Sequence, residues 1–92
     1  MPRLQKDCTS VWAQYTIRSK DRDALREKLS DVGVPTAVHY PRPLHLQEAF
    51  SHLGHKIGDF PVSEMLAKEV MSLPMSSFLS ELEQDYILQK LL

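Results

Sequence analysis

The first periodic stretch of the chain alternates apolar and polar side chains at every second residue. The apolar positions are Val11, Ala13, Tyr15 and Ile17. A period of two that includes β-branched and aromatic residues predicts a half-buried strand over residues 11–18. Trp12 falls on the other side of this strand, so two interpretations stay open: an isolated contact, or a surface that meets something outside this chain.

A helical period follows the strand. Leu25, Leu29 and Val32 are spaced for one face of a helix, and Asp21 precedes them as a candidate N-cap. Gly33 comes directly after the last apolar position, which is typical of a left-handed C-terminal cap. The charged residues between these positions predict a solvated helix face rather than a binding surface: Arg22, Asp23, Arg26, Glu27 and Lys28.

The middle of the chain contains a loop stiffened by proline. Residues 36–40 predict a short strand, and Pro41 and Pro43 then fix the backbone and remove two N–H donors. The proline loop, residues 40–43, leads into a predicted helix over residues 44–53 that Gly54 closes. Loops held by a rigid scaffold often carry function, so this loop is the best candidate for meeting a ligand.

The last third of the chain predicts two helices and a strand. Pro61 stands at the first position of one helix, and residues 71–75 alternate like a short edge strand that contains Pro74. Ser80 and Glu83 have the spacing of a capping box ahead of a C-terminal helix. The order of elements predicts an α+β fold: a small, mostly antiparallel sheet with helices packed on one face.

Composition narrows the class of protein. The 92 residues suit one domain, and eleven basic against twelve acidic residues give a net charge of −1, without the positive surplus that binding to nucleic acid needs. No apolar run approaches the ~20 residues of a membrane span, and no apolar segment of a signal peptide is present at the start. The lone Cys8 cannot form an internal disulfide. We therefore expect a cytoplasmic protein with neither nucleic acid nor membrane as its partner.

Four histidines lie between residues 39 and 55, and they invite a test for a metal site. His52 and His55 are three residues apart, but the chain places no cysteine near them and Gly54 interrupts the pair, so we expect both to be solvated and no metal to bind. Isolated glycines give no phosphate-binding loop, and no serine or cysteine has the context of a nucleophile. The residues themselves predict no complete catalytic site.

The stretch from Val34 to Gln47, with its His-Tyr-Pro-x-Pro-Leu-His core at residues 39–45, resembles the DegT/DnrJ/EryC1/StrS family of sugar aminotransferases. Further similar segments follow in the same order as in the family: residues 15–18, 22–23, 58–64, 72–75 and 83–87. The resemblance covers about residues 10–92 and implies the C-terminal small domain of a fold-type-I pyridoxal phosphate (PLP) enzyme, with residues 1–9 as a flexible N-terminal segment. The large PLP-binding domain of the family is absent from this stretch.

The resemblance also implies a function. The full enzyme would transfer an amino group, with glutamate as donor, to a keto-sugar nucleotide for cell-surface polysaccharide or antibiotic sugars. It would be a homodimer that holds PLP, whereas this chain alone would be inactive and would bind no cofactor, because no lysine stands in the catalytic context.

Substrate-binding candidates carried over from the family segment are His39, Tyr40, Arg42 and His45. His39 and Tyr40 can bond sugar hydroxyls, and Arg42 either binds a phosphate or carboxylate or is a solvated charge. Along a strand His39 and Tyr40 should point to opposite faces, so that one meets the ligand and the other packs. The alternative function is a free-standing, non-catalytic module of the same fold that binds a nucleotide sugar or a protein.

Overall fold

The computed structural model describes residues 3–92, and within them the chain has the predicted α+β architecture. Its strands are β1 (Tyr15–Arg18) and β2 (Val70–Leu73), and its α-helices are α1 (Arg22–Asp31), α2 (Pro61–Glu69) and α3 (Glu81–Leu91). Two 3₁₀ helices, Leu44–Leu46 and Glu48–Leu53, connect the proline loop to the turn ahead of α2.

The sheet is antiparallel and smaller than predicted. β1 pairs with β2 so that Tyr15 lies opposite Leu73 and Ile17 opposite Met71. The predicted strand over residues 36–40 was wrong, because only Ala37 bridges to Ser72. The flanking prolines, which lack an N–H, cannot extend a ladder there.

The N-terminal half of the predicted strand over residues 11–18 is also not a strand. Trp12 has a φ of 45°, a left-handed conformation that an extended strand does not contain. The residue therefore does not lie on the sheet face opposite Tyr15, where the alternation had placed it. It lies half-exposed beside Tyr15, Leu73 and α3 instead.

One face of the sheet carries the hydrophobic core. The buried cluster consists of Leu29 from α1, Met71 and Leu73 from β2, and Ile87 from α3, together with Val34 from the loop after α1. Leu25 and Val32 pack against it, as the helical spacing predicted. Each fully buried side chain of this size contributes about 1.5–3 kcal/mol. With so few of them, every member of the core matters to stability.

The capping signals at Gly33 and at Ser80 were confirmed, whereas the one at Asp21 was not. Gly33 has a φ of 78°, and the Gly33 and Val34 N–H groups donate to the carbonyls of Ser30 and Leu29 at 2.9 and 2.8 Å. Ser80 and Glu83 form both bonds of the capping box. Asp21 was wrong as a side-chain cap, because it makes no such bond to α1.

The predicted helix over residues 44–53 is instead two 3₁₀ helices. Gln47 has a ψ of 145°, which breaks the helical path between them. Its side-chain amide donates to the Arg42 carbonyl at 3.3 Å, so the turn is tied back to the proline loop. Gly54 closes the second helix with a φ of 73°, as predicted.

Arg22 is buried, and its prediction as part of a solvated helix face was wrong. The side chain is 7% exposed, and Nη1 donates to the carbonyls of Ala67 at 3.2 Å and Val70 at 2.9 Å. Nε lies 2.6 Å from Asp23 Oδ1 but is not directed at it, so this contact is electrostatic rather than a hydrogen bond. Arg22 thereby joins α1 to the junction between α2 and β2.

The N-terminal segment is exposed as far as it is described. Residues 3–14 form neither helix nor strand, and a turn is closed by the Cys8 N–H and the Gln5 carbonyl at 3.2 Å. The first two residues of the predicted flexible segment lie outside the described residues, and its flexibility stays a prediction. From residue 3 onward, the chain contains no helix with the length and apolar character to cross a bilayer.

Candidate functional site

A cavity of about 370 Å³ opens where the proline loop passes over α2. This loop cavity is lined from the loop by His39, Tyr40 and Arg42, and Gln47 and Ser63 add polar groups. Its apolar wall comes from one face of α2, chiefly Val62, Leu66 and Ala67. An apolar wall with a few convergent polar groups is the usual composition of a small-molecule site.

His39 and Tyr40 stand side by side at this cavity. Both are exposed, Tyr40 to 65%, and their rings meet edge-on with centroids 5.7 Å apart. The prediction that they point to opposite faces, with one of them packed, was wrong. That prediction assumed a strand, and the pairing with β2 stops at Ala37, so side-chain alternation does not extend to residues 39 and 40.

Arg42 lies exposed at the rim of the loop cavity. No carboxylate among residues 3–92 forms an ion pair with it, so its guanidinium is available to an anion from outside the chain. The planar fork of an arginine suits a carboxylate or a phosphate group.

His45 does not line the loop cavity. Its side chain is 7% exposed; Nε2 lies 3.1 Å from Glu64 Oε1, and the ring packs against Phe60 with centroids 4.8 Å apart. The structure therefore brings together His39, Tyr40 and Arg42, and places His45 in a separate cluster. Its role in substrate binding stays a prediction.

Glu64 is the centre of that separate cluster, and sequence reasoning missed it. Its carboxylate accepts hydrogen bonds from the Gly58 N–H at 2.8 Å and from His45. The Gly58 N–H, followed by the His45 side chain, lowers the pKa of Glu64 below its ordinary value of 4.5 against the opposing effect of burial. The sequence signal that could have identified Glu64 is its position as an acidic residue in the first turn of a helix.

The other two histidines lie near the turn before α2. His52 is exposed, and His55 is partly exposed with Nδ1 3.4 Å from Asp59 Oδ2. The Lys56 N–H, more than His55, lowers the pKa of Asp59. Within the described range, no three side chains of His, Cys, Asp or Glu lie close enough to share a metal ion.

The described residues do not by themselves fit PLP. The covalent chemistry of that cofactor needs a lysine at the reacting carbon. No lysine from residue 3 onward lines the loop cavity.

Two further grooves lie on the α3 side, with volumes of about 420 and 390 Å³. They share Pro74, Leu79 and Ile87, and the larger one is bordered by Trp12. Their walls are mainly apolar and carry no histidine, arginine or lysine. The loop cavity is therefore the better candidate for chemistry, although it is slightly smaller.

Comparison with known proteins finds relatives along almost the whole chain. The chain is 48% identical over 81 residues to a "Pleiotropic regulatory protein" of Geobacillus stearothermophilus, covering 88% of this chain and 22% of the relative. It is 44% identical over 78 residues to "UDP-2-acetamido-2-deoxy-3-oxo-D-glucuronate aminotransferase" of Pseudomonas aeruginosa, covering 85% and 21%.

A solved structure has the same fold. The crystal structure of S. venezuelae DesV in complex with a ketimine intermediate matches with a TM-score of 0.90 and 32% identity, over 97% of this chain and 24% of that one. The chain thus spans about a quarter or less of the length of these relatives. The family's sequence model matches residues 1–92, and the chain belongs to the DegT/DnrJ/EryC1/StrS aminotransferase family.

Proposed function

We propose that this chain is the C-terminal small domain of a PLP-dependent nucleotide-sugar aminotransferase. The observation that carries the proposal is the loop cavity, where His39, Tyr40 and Arg42 converge on one exposed, partly apolar site. The parent enzyme would move an amino group from glutamate to a keto-sugar nucleotide in the cytoplasm, for cell-surface polysaccharide or antibiotic sugars.

The three side chains have complementary tasks in this proposal. The Tyr40 hydroxyl and the His39 ring donate or accept hydrogen bonds, which suits the hydroxyls of a sugar. Arg42 has only donors and a fixed charge, which suits a phosphate of the nucleotide or the carboxylate of the amino donor. The apolar side chains of α2 provide one wall, on which Ser63 is the polar residue.

The exposed area of the chain supports its being one domain of a larger protein. The chain exposes 7493 Å², whereas a compact monomer of this length exposes about 5,500 Å². Its radius of gyration of 15.8 Å also exceeds the ~12 Å expected of a compact chain of this length. The surplus of roughly 2,000 Å² is comparable to the area buried in an extensive protein interface. Packing against the remaining three quarters of a parent enzyme, itself a homodimer, would cover this area.

The cofactor would belong to the parent enzyme rather than to this chain. A lysine of the large domain would hold PLP, and the cofactor would supply the covalent chemistry of amino transfer when bound. The task of the small domain would be to bind the sugar nucleotide, orient it and exclude water when the domains close.

The decisive experiment begins with the reading frame upstream of Met1. We expect it to encode a large domain with a lysine that borohydride reduction links to PLP, and we expect the complete product to aminate UDP- or dTDP-keto sugars with glutamate. A complete frame that starts at Met1, whose product binds a nucleotide sugar but no PLP, would instead establish the alternative, a free-standing binding module.

A further inference from the structure

The cluster around Glu64 joins three parts of the chain that are separate in sequence. Glu64 lies in the first turn of α2, His45 in the first 3₁₀ helix, and Gly58 in the turn between the second 3₁₀ helix and α2. Both side chains are largely buried, with 7% of His45 and 16% of Glu64 exposed. The ring of Phe60 covers His45 from one side.

The direction of the hydrogen bonds in this cluster follows from the charge of Glu64. Two donors face Oε1, and they keep the pKa of Glu64 low, so the group is a carboxylate near neutral pH and has no proton to give. His45 must therefore donate from Nε2. Hydrogen bonds to an ionised acceptor are stronger than neutral ones.

The position of His45 is coupled to the proline loop through the backbone. The first 3₁₀ helix is closed by the Leu46 N–H, which donates to the Pro43 carbonyl at 3.0 Å. Pro41 and Pro43 limit the freedom of the residues between Tyr40 and this helix. A side chain that holds His45 in place therefore also restricts where Tyr40 and Arg42 can lie.

We propose that Glu64 is a positioning residue for the candidate site: by holding His45, it sets the position of the proline loop and so of the groups that line the loop cavity. His45 then acts as the link to Glu64 rather than as a group that touches the ligand. The effect of Glu64 on ligand binding rests on the proposed function, whereas its effect on the position of the proline loop does not.

Amide NMR spectra of the 92-residue chain test the proposal with four variants. Glu64→Ala removes the acceptor of both donors, and Glu64→Gln keeps an uncharged acceptor oxygen. His45→Phe keeps a ring against Phe60 but removes the donor. Glu69→Ala is the matched control, because it removes a carboxylate from the other end of α2, where Glu69 pairs with Arg18.

We expect Glu64→Ala to raise the hydrogen-exchange rate of the Gly58 amide roughly 10- to 100-fold, because the amide loses its hydrogen bond to a charged acceptor. It should also displace the amide signals of Tyr40, Arg42 and Leu44. His45→Phe should displace the same loop signals yet leave the Gly58 amide protected. Glu64→Gln should retain much of the wild-type pattern, and Glu69→Ala should leave the loop signals unchanged.

The proposal is overturned if the loop signals of Glu64→Ala or His45→Phe stay at their wild-type positions, or if Glu69→Ala displaces them equally. It is also overturned if Glu64→Gln displaces them as far as Glu64→Ala, since the hydrogen bonds would then not be responsible. Should Glu64→Ala fail to fold, His45→Phe decides the question, because its Gly58–Glu64 bond remains.

Titration with UDP-N-acetylglucosamine separates this inference from the proposed function. We expect the probe to shift the signals of His39, Tyr40 and Arg42 in the wild-type chain, and to bind more weakly to Glu64→Ala. Absence of any shift in the wild type would count against a nucleotide-sugar site, while the comparison of loop signals would still decide the role of Glu64.

Discussion

Replacing Arg22 by methionine should destabilise the fold more than any other single change to a charged residue of α1. The Arg22 guanidinium donates to the carbonyls of Ala67 and Val70. Ala67 is one of the last residues of α2, whose carbonyls lack partners within the helix. Arg22 therefore caps α2 and places a positive charge at the negative end of its dipole.

The size of the effect follows from these contacts. Methionine keeps most of the apolar stem, so the change reports the lost donors more than a lost volume. A buried acceptor left without a partner costs about 1–3 kcal/mol, which gives roughly 2–6 kcal/mol for the two carbonyls as an upper range, since the bond to Val70 is only partly buried. A chain of this length has a total stability of about 5–14 kcal/mol, so the loss is a substantial part of it.

Urea unfolding followed by far-UV circular dichroism measures this difference, with Arg18→Met as the control. Arg18 also contacts the end of α2, through Glu69, but its side chain is 51% exposed, and such pairs contribute at most ~1 kcal/mol. We expect a lower midpoint for Arg22→Met at an unchanged slope. If Arg22→Met lost no more free energy of unfolding than Arg18→Met, the capping role would be refuted.

Three further predictions concern the site, pH and association. In the parent enzyme proposed above, alanine at His39 or Tyr40 should weaken nucleotide-sugar binding up to roughly tenfold, which corresponds to one hydrogen bond, while alanine at His52 should have little effect. Equal losses of affinity in all three variants would exclude the assignment. Because the pKa values of Glu64 and Glu83 are lowered in the folded chain, the folded chain binds fewer protons than the unfolded one. The two carboxylates should therefore stabilise the fold above about pH 4.5 and lose this effect on acidification, and a free energy of unfolding that stays unchanged from pH 6 to 3 would contradict this. The surplus surface predicts self-association of the separate chain, and sedimentation that gives one monomeric species at every concentration would contradict it.

The amino-acid sequence determined those features that depend on neighbours within one helical turn. The left-handed cap at Gly33 and the capping box of Ser80 and Glu83 were predicted, because their donors and acceptors lie a few residues apart. The start of α2 at Pro61 was predicted because proline has the φ of a first helical residue and lacks the N–H that this position leaves unpaired. Asp21 is the exception, since its side chain makes no cap bond. The order of residues also predicted the family, through the resemblance of the His-Tyr-Pro core, and the α+β fold class.

The tertiary structure alone decided which side chains share a site. His45 meets Glu64 from 19 positions away, and Arg22 meets Ala67 and Val70 across 45 and 48 positions. Periodicity assigns each residue to a face but contains no information about which distant group that face will meet. For this reason periodicity predicted Arg22 as solvated and His39 and Tyr40 on opposite faces, both of which were wrong. The packing of the proline loop over α2 determined where each of these side chains lies.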